Sequence, residues 1–176
     1  DMNTASKSIK IAILGLGVVG NGVLETLASK KVAFDRQFGS ILDVPYILVK
    51  DTSKPRNLHS TDAVIIDDYN LVLADDSVDI VVELMGGENP AFDYIKMAME
   101  QGKSVVTANK EVISKHGQEL ISTANRNGVH LLFEASVGGG IPIIRPLRKD
   151  LNANDVYDTS NNKRVQLRLF FKISAV

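Results

Sequence analysis

The sequence predicts an α/β fold, a doubly wound parallel sheet of about six strands with helices on both faces. Three observations predict it. Short runs of Ile, Val and Leu are continuous rather than alternating, which marks strands buried on both sides. Segments with apolar residues at helical spacing lie between those runs. A cluster of glycines stands between the first run and the first helical segment. Together these give an expected strand order of 3-2-1-4-5-6.

Ile9 to Leu14 is the first strand, a short apolar run that ends in glycines. Val19 to Ser29 follows as a helix, with apolar residues at Val19, Val23, Leu24 and Leu27. Val44 to Val49 reads as the second strand, and the polar stretch from Thr52 to Thr61 as a loop. Ala63 to Ile66 is a short third strand and Val78 to Leu84 a strong fourth. Pro90 to Gln101 is a helix with proline near its first turn and Gly102 closing it. Ser104 to Thr107 is the fifth strand. Lys110 to Asn127 is a helix, with Leu120, Ile121 and Ala124 turned inward and Gly128 as its cap. Val129 to Phe133 is the sixth strand.

Residues 1–151 are assigned to this one domain. Residues 152–164 are polar and rich in Asn and Asp, and are expected to form a loop. Residues 165–176 alternate in part and are a candidate edge strand.

Composition narrows the function. The 176 residues are 44% hydrophobic and 23% charged, enough to bury a core, and the net charge is −1 with no basic run. That balance speaks against nucleic acid or an anionic membrane as partner. There is no cysteine, which excludes disulfides, zinc thiolates and thiol catalysis. His59, His116 and His130 lie far apart in the chain, without metal-ligand spacing. The N-terminal DMNTASKSIK lacks an apolar signal core, and no run approaches a membrane span, so the expected location is the cytoplasm.

The glycine cluster reads Gly15-Leu16-Gly17-Val18-Val19-Gly20. It follows a strand and opens a helix, the context that a dinucleotide fingerprint requires. Gly15 permits the tight turn, Gly17 lets a pyrophosphate approach the backbone, and Gly20 lets the helix pack against the strand. The free N–H groups of the helix start then face the phosphates. This is the Rossmann arrangement.

Ligands of open α/β sheets bind beyond the carboxyl ends of the strands. The second strand ends Val49-Lys50-Asp51, with Arg56 nearby. An acid at this tip suits the ribose hydroxyls of NAD, and a base suits the 2′-phosphate of NADP. Both are present, and we favour NADP through Lys50. The fourth strand ends Glu83-Leu84-Met85-Gly86-Gly87, whose glycines allow close passage of the backbone. The fifth ends Thr107-Ala108-Asn109-Lys110. A cation at a helix start is disfavoured by the dipole, so Lys110 is expected to meet an anionic or polar ligand. After the sixth strand comes Glu134-Ala135-Ser136-Val137-Gly138-Gly139-Gly140-Ile141-Pro142. An acid beside three glycines suits a hard cation held by a carboxylate and main-chain carbonyls. A flexible turn before a helix led by Pro142 is the alternative.

Taken together, the Gly15–Gly20 turn, Glu83 to Gly87, Thr107 to Lys110, and Glu134 to Ile144 resemble homoserine dehydrogenase over roughly residues 8–155. The resemblance implies reversible hydride transfer between NAD(P)H and aspartate semialdehyde, giving homoserine for threonine, methionine and isoleucine synthesis. It implies that residues Gly15, Leu16, Gly17, Val18, Val19 and Gly20 hold the pyrophosphate. Lys50 at the second strand tip, and Met85, Gly86, Thr107 and Asn109 at the ends of the fourth and fifth, are expected cofactor residues beside these, and the resemblance implies that Lys110 contacts the cofactor as a supporting catalytic group near the reacting centre. It also implies a sodium-type ion held by Glu134 and the carbonyls of Val137, Gly139 and Ile141, and a homodimer when the protein is complete.

One departure bears on activity. The family continues into a substrate domain with an Asn-Gly-Thr-Thr-type motif and a catalytic Asp and Lys, and these are not found in the 176 residues. Residues 165–169 resemble the first strand of a regulatory ACT domain only weakly. Positioning and acid–base help supply much of such a rate, so little or no dehydrogenase activity is expected from these residues alone. Two other readings are another Rossmann oxidoreductase, such as an aspartate dehydrogenase or a dihydrodipicolinate reductase, and a catalytically silent cofactor-binding fragment.

Overall fold

A computed structural model describes residues 7–38 and 40–133. Ten elements follow one another: β1 (Lys7–Leu14), α1 (Val18–Phe38), β2 (Ser40–Leu48), β3 (Val64–Ile66), α2 (Asn70–Ala74), β4 (Val78–Glu83), α3 (Ala91–Glu100), β5 (Ser104–Thr107), α4 (Lys110–Arg126) and β6 (Leu131–Phe133). The six strands form one sheet in the order β3-β2-β1-β4-β5-β6, and every neighbouring pair is parallel. This is the predicted doubly wound topology.

Alternate residues of each strand serve opposite faces, which explains the continuous apolar runs. In β1, Ile9, Ile11 and Ile13 join Val23, Leu24 and Leu27 of α1 in one core layer. Ala12 and Leu14 join the other layer with Ile95, Ala98 and Met99 of α3 and Val112, Leu120 and Ala124 of α4. The helices predicted from spacing therefore bury most of the stripes expected of them, with two corrections: Val19, at the start of the α1 stripe, is 38% exposed, and Ile121 is the second. Ile121 was expected to face inward, yet it is 56% exposed. Leu120 and Ala124 already fill that stripe, and the next position along a 3.6-residue turn points about 100° away.

Two boundaries move by four residues or more from expectation, and one further element appears. α1 runs on to Phe38 instead of ending near Ser29, because no glycine or proline interrupts the chain before Gly39. β2 begins at Ser40 instead of Val44 and carries Pro45 inside it. Its ladder with β1 steps from Lys10↔Asp43 to Ala12↔Tyr46, so Val44 and Pro45 face the single residue Ile11. A proline donates no ladder hydrogen bond, and a bulge accommodates it there. The five-residue α2 was not foreseen. It buries Val72, and with five residues it is too short for a helical apolar period to show.

The candidate edge strand at 165–176, the loop before it and the domain boundary at 151 lie outside the described residues. Among the described residues no helix is long and apolar enough to cross a membrane.

Candidate functional site

A cleft of about 410 Å³ opens where β1 and β4 lie side by side and the chain leaves them in opposite directions. Its lining includes Gly15, Leu16 and Gly17 from the turn after β1, Leu48 at the end of β2 with Val49 and Lys50 beyond it, Asp67 after β3, and Leu84 and Met85 after β4. All of these lie at or beyond the carboxyl ends of parallel strands, at the point where the strand order reverses. That is where the topology places a ligand.

The three glycines of the turn have separate reasons to be glycine. Gly15 has φ +94°, and a Cβ there would press on the backbone of Leu84 and Met85 at 3.0–3.2 Å. Its N–H donates to the Leu48 carbonyl at 2.9 Å, which ties the turn to β2. A Cβ on Gly20 would collide with the carbonyl oxygen of Gly15. These two are fixed by packing inside the protein. Gly17 is different, because a Cβ on it would meet nothing within 4 Å and its φ is an ordinary one. Nothing in the described fold requires glycine at 17, so its bare backbone suits close approach by a ligand from the cleft. Val18, the first residue of α1, is 93% exposed beside it. The residues present thus fit a dinucleotide pyrophosphate at the start of a helix.

At the β2 tip the structure separates the acid from the bases. Lys50 and Arg56 line the cleft, whereas Asp51 does not. The Asp51 carboxylate is turned into its own loop, where Oδ1 accepts from the Ser53 hydroxyl at 2.6 Å and the Ser53 N–H at 3.0 Å. Those two bonds hold its pKa below the ordinary value, with Lys54 and Arg56 adding to the effect. Arg56 was noted in the sequence only as a neighbour. Asp67 and Tyr94 also line the cleft, and sequence reasoning missed both. Tyr94 stacks on buried Tyr69 with ring centroids 4.1 Å apart, and the Tyr69 hydroxyl donates to the Tyr94 carbonyl at 2.8 Å. A signal for Asp67 was available, since it follows the last residue of a predicted strand.

The remaining predicted residues stand beyond β4 and β5. Met85 lines the cleft, and Gly86 and Gly87 after it have φ values of +73° and +72°. Thr107 and Asn109 are buried. Lys110 begins α4 as predicted and is exposed. Val18, Val19 and Gly20 open α1 next to the cleft without lining it. Glu134, Val137, Gly139 and Ile141 lie outside the described residues. Among the described residues no group of three or more His, Asp or Glu is placed to hold a metal ion.

Comparison with known proteins agrees with this geometry. The family model described as "Homoserine dehydrogenase, NAD binding domain" matches residues 15–134. The chain is 40% identical over 149 residues to the homoserine dehydrogenase of Synechocystis sp., covering 85% of this chain and 34% of that protein. It is 37% identical over 150 residues to the Bacillus subtilis homoserine dehydrogenase, covering 85% and 35%. The crystal structure of a homoserine dehydrogenase from Thiobacillus denitrificans superposes with a TM-score of 0.72 at 40% identity, over 84% of this chain and 34% of that one. The chain spans about a third of the length of the curated relatives it matches. The match over residues 15–134 runs from the glycine turn after β1 through β2 to β6, and the chain therefore belongs to the homoserine dehydrogenase family, as its NAD-binding domain.

Proposed function

We propose that these residues form the cofactor-binding part of an NAD(P)-dependent homoserine dehydrogenase. In the whole protein the reaction is hydride transfer between NAD(P)H and aspartate semialdehyde, giving homoserine. For the 176 residues by themselves the proposal is cofactor binding without turnover. The observation that carries it is Gly17, whose backbone lies bare at the cleft with no packing reason to be glycine.

The pyrophosphate would rest on Gly15 to Gly20, with Leu16, Val18 and Val19 around it. Met85 and Gly86 would flank the cofactor from the β4 side, and the turn from Thr107 to Lys110 would close the site over β5. Lys110 is the candidate for a supporting role near the reacting carbon. We favour NADP over NAD because Lys50 and Arg56 both line the cleft while the Asp51 carboxylate is committed to Ser53. Two cations at that end suit a 2′-phosphate.

The resemblance extends the proposal to a monovalent cation at Glu134 and the carbonyls of Val137, Gly139 and Ile141. It also extends it to a homodimer, a cytoplasmic location, and a place in threonine and methionine synthesis. The test is homoserine-dependent reduction of NADP⁺ by the whole protein, beside binding of NADPH by residues 1–176. Turnover with another amino acid, and none with homoserine, would replace this reading with that of a different oxidoreductase.

A further inference from the structure

The carboxylate of Glu83 closes β4 with no solvent exposure. A buried carboxylate is tolerated only if its oxygens find donors. Oε1 accepts from the Met85 N–H at 2.8 Å, and Oε2 accepts from the Thr107 hydroxyl at 2.5 Å. The single hydroxyl hydrogen of Thr107 is thereby used, and its oxygen is left to accept from the Asn109 N–H at 3.0 Å. The Asn109 side chain then serves two elements. Its Oδ1 accepts from the Val112 N–H at 3.2 Å and caps α4, and its Nδ2 donates to the Gly87 carbonyl at 2.6 Å. A backbone N–H only donates and a carbonyl only accepts, so the orientation of this amide is fixed.

The bonds form a circuit. It runs from Glu83 through the loop Met85–Gly87 to Asn109, and back through Thr107. Met85 of this loop lines the cleft, and Lys110 follows Asn109 directly. None of the side chains of Glu83, Thr107 and Asn109 lines the cleft.

We propose that Glu83, Thr107 and Asn109 are positioning residues that lock the Met85–Gly87 loop to the first turn of α4, so that the cofactor meets a rigid edge. The proposal rests on the cofactor-binding reading above. It assigns Thr107 and Asn109 an action through the loop rather than by touching the ligand. A binding site whose walls are held before the ligand arrives loses less entropy on binding. Glutamate suits position 83 better than glutamine. A carboxylate only accepts, so it sets the direction of the whole chain of bonds, whereas an amide would turn a second donor towards Thr107.

Two variants test this: Thr107→Val, which keeps the shape and removes the hydroxyl, and Asn109→Asp, which keeps the cap and removes the donor to Gly87. Each is compared with the wild type and with Thr107→Ser, by NADPH titration and by amide hydrogen exchange. Both variants should weaken NADPH binding about tenfold, as expected for a lost buried hydrogen bond. Exchange at Met85 should speed up in both, while Val81 and Val105 at the sheet centre stay protected. Thr107→Ser should restore both readouts. Unchanged affinity in both variants would overturn the proposal. Weakened affinity with unchanged exchange at Met85 would overturn it too, because that pattern means direct contact. If the wild type bound neither NADPH nor NADH, the cofactor reading itself would fall. Exchange at Met85 would still decide whether the loop is locked to α4.

Discussion

A methyl group on Gly20 would run into the carbonyl oxygen of Gly15, while one on Gly17, three residues earlier, would meet nothing within 4 Å. The two glycines share one motif, yet only Gly20 is held to glycine by packing inside the protein; the proposed function assigns the constraint at Gly17 to a ligand. Substituting each with alanine should separate stability from binding. Gly20→Ala gains helix propensity of up to about 1 kcal/mol, but the clash is with backbone that cannot rotate away. The clash should win, with a net loss of about 1–2 kcal/mol in a denaturant melt. Gly17→Ala should leave stability within about 0.5 kcal/mol and weaken NADPH binding about tenfold or more.

The cofactor preference should reside in Lys50 and Arg56. Replacing either with alanine removes one charge-assisted contact to a 2′-phosphate, worth about 1.5–3 kcal/mol, so the Kd for NADPH should rise roughly tenfold to a hundredfold. NADH, which lacks that phosphate, should bind almost as before. Equal losses for the two cofactors in paired titrations would remove Lys50 and Arg56 from the specificity argument.

Far from the cleft, the buried amino group of Lys103 donates to the Asp75 carbonyl at 2.6 Å and to the Val78 carbonyl at 3.3 Å. These carbonyls lie at the end of α2 and the start of β4. Lys103→Met keeps the packing volume and removes the donors, and should cost about 1–3 kcal/mol of stability. NADPH affinity, measured where the variant is folded, should stay at the wild-type value.

Acid should loosen the outer anchor of the β4 loop. The Glu88 carboxylate takes the Lys115 amino group at 2.6 Å and the His116 Nε2 at 2.7 Å, bridging the loop to α4. The Lys115 bond first, and the His116 bond second, hold the Glu88 pKa below its ordinary 4.5. A depressed carboxylate pKa stabilises the fold above the unfolded value, and that contribution disappears as pH falls through the lower folded value. Glu88→Gln should therefore flatten part of the fall in Tm on acidification below about pH 5. A Tm–pH curve identical to the wild type's would contradict this assignment.

Much of this architecture was legible because short apolar runs such as Ile80-Val81-Val82, bounded by turn signals, suit strands covered on both faces. The rule that ligands sit beyond the carboxyl ends of strands points to Gly15, Gly17, Lys50 and Met85, and all four line the cleft. What escaped was set by tertiary contact. Pro45 reads as a strand breaker until the bulge opposite Ile11 accommodates it. Ile121 differs from its buried neighbour Leu120 by one step of helix rotation, which an apolar pair alone does not resolve. Tyr94 reaches the cleft because Tyr69, 25 residues away, stacks against it. The side chain of Asn109 joins the first turn of α4, at Val112, to the loop at Gly87, a link between elements more than 20 residues apart that no local pattern announces.

The most direct test of the central claim is a calorimetric titration of NADPH into the 176-residue protein, repeated with Gly17→Ala. One saturable site per chain, weakened about tenfold by the substitution at unchanged melting temperature, is the predicted result. A folded protein that takes up neither NADPH nor NADH at millimolar concentration, or binds NADPH equally well with alanine at 17, would contradict it.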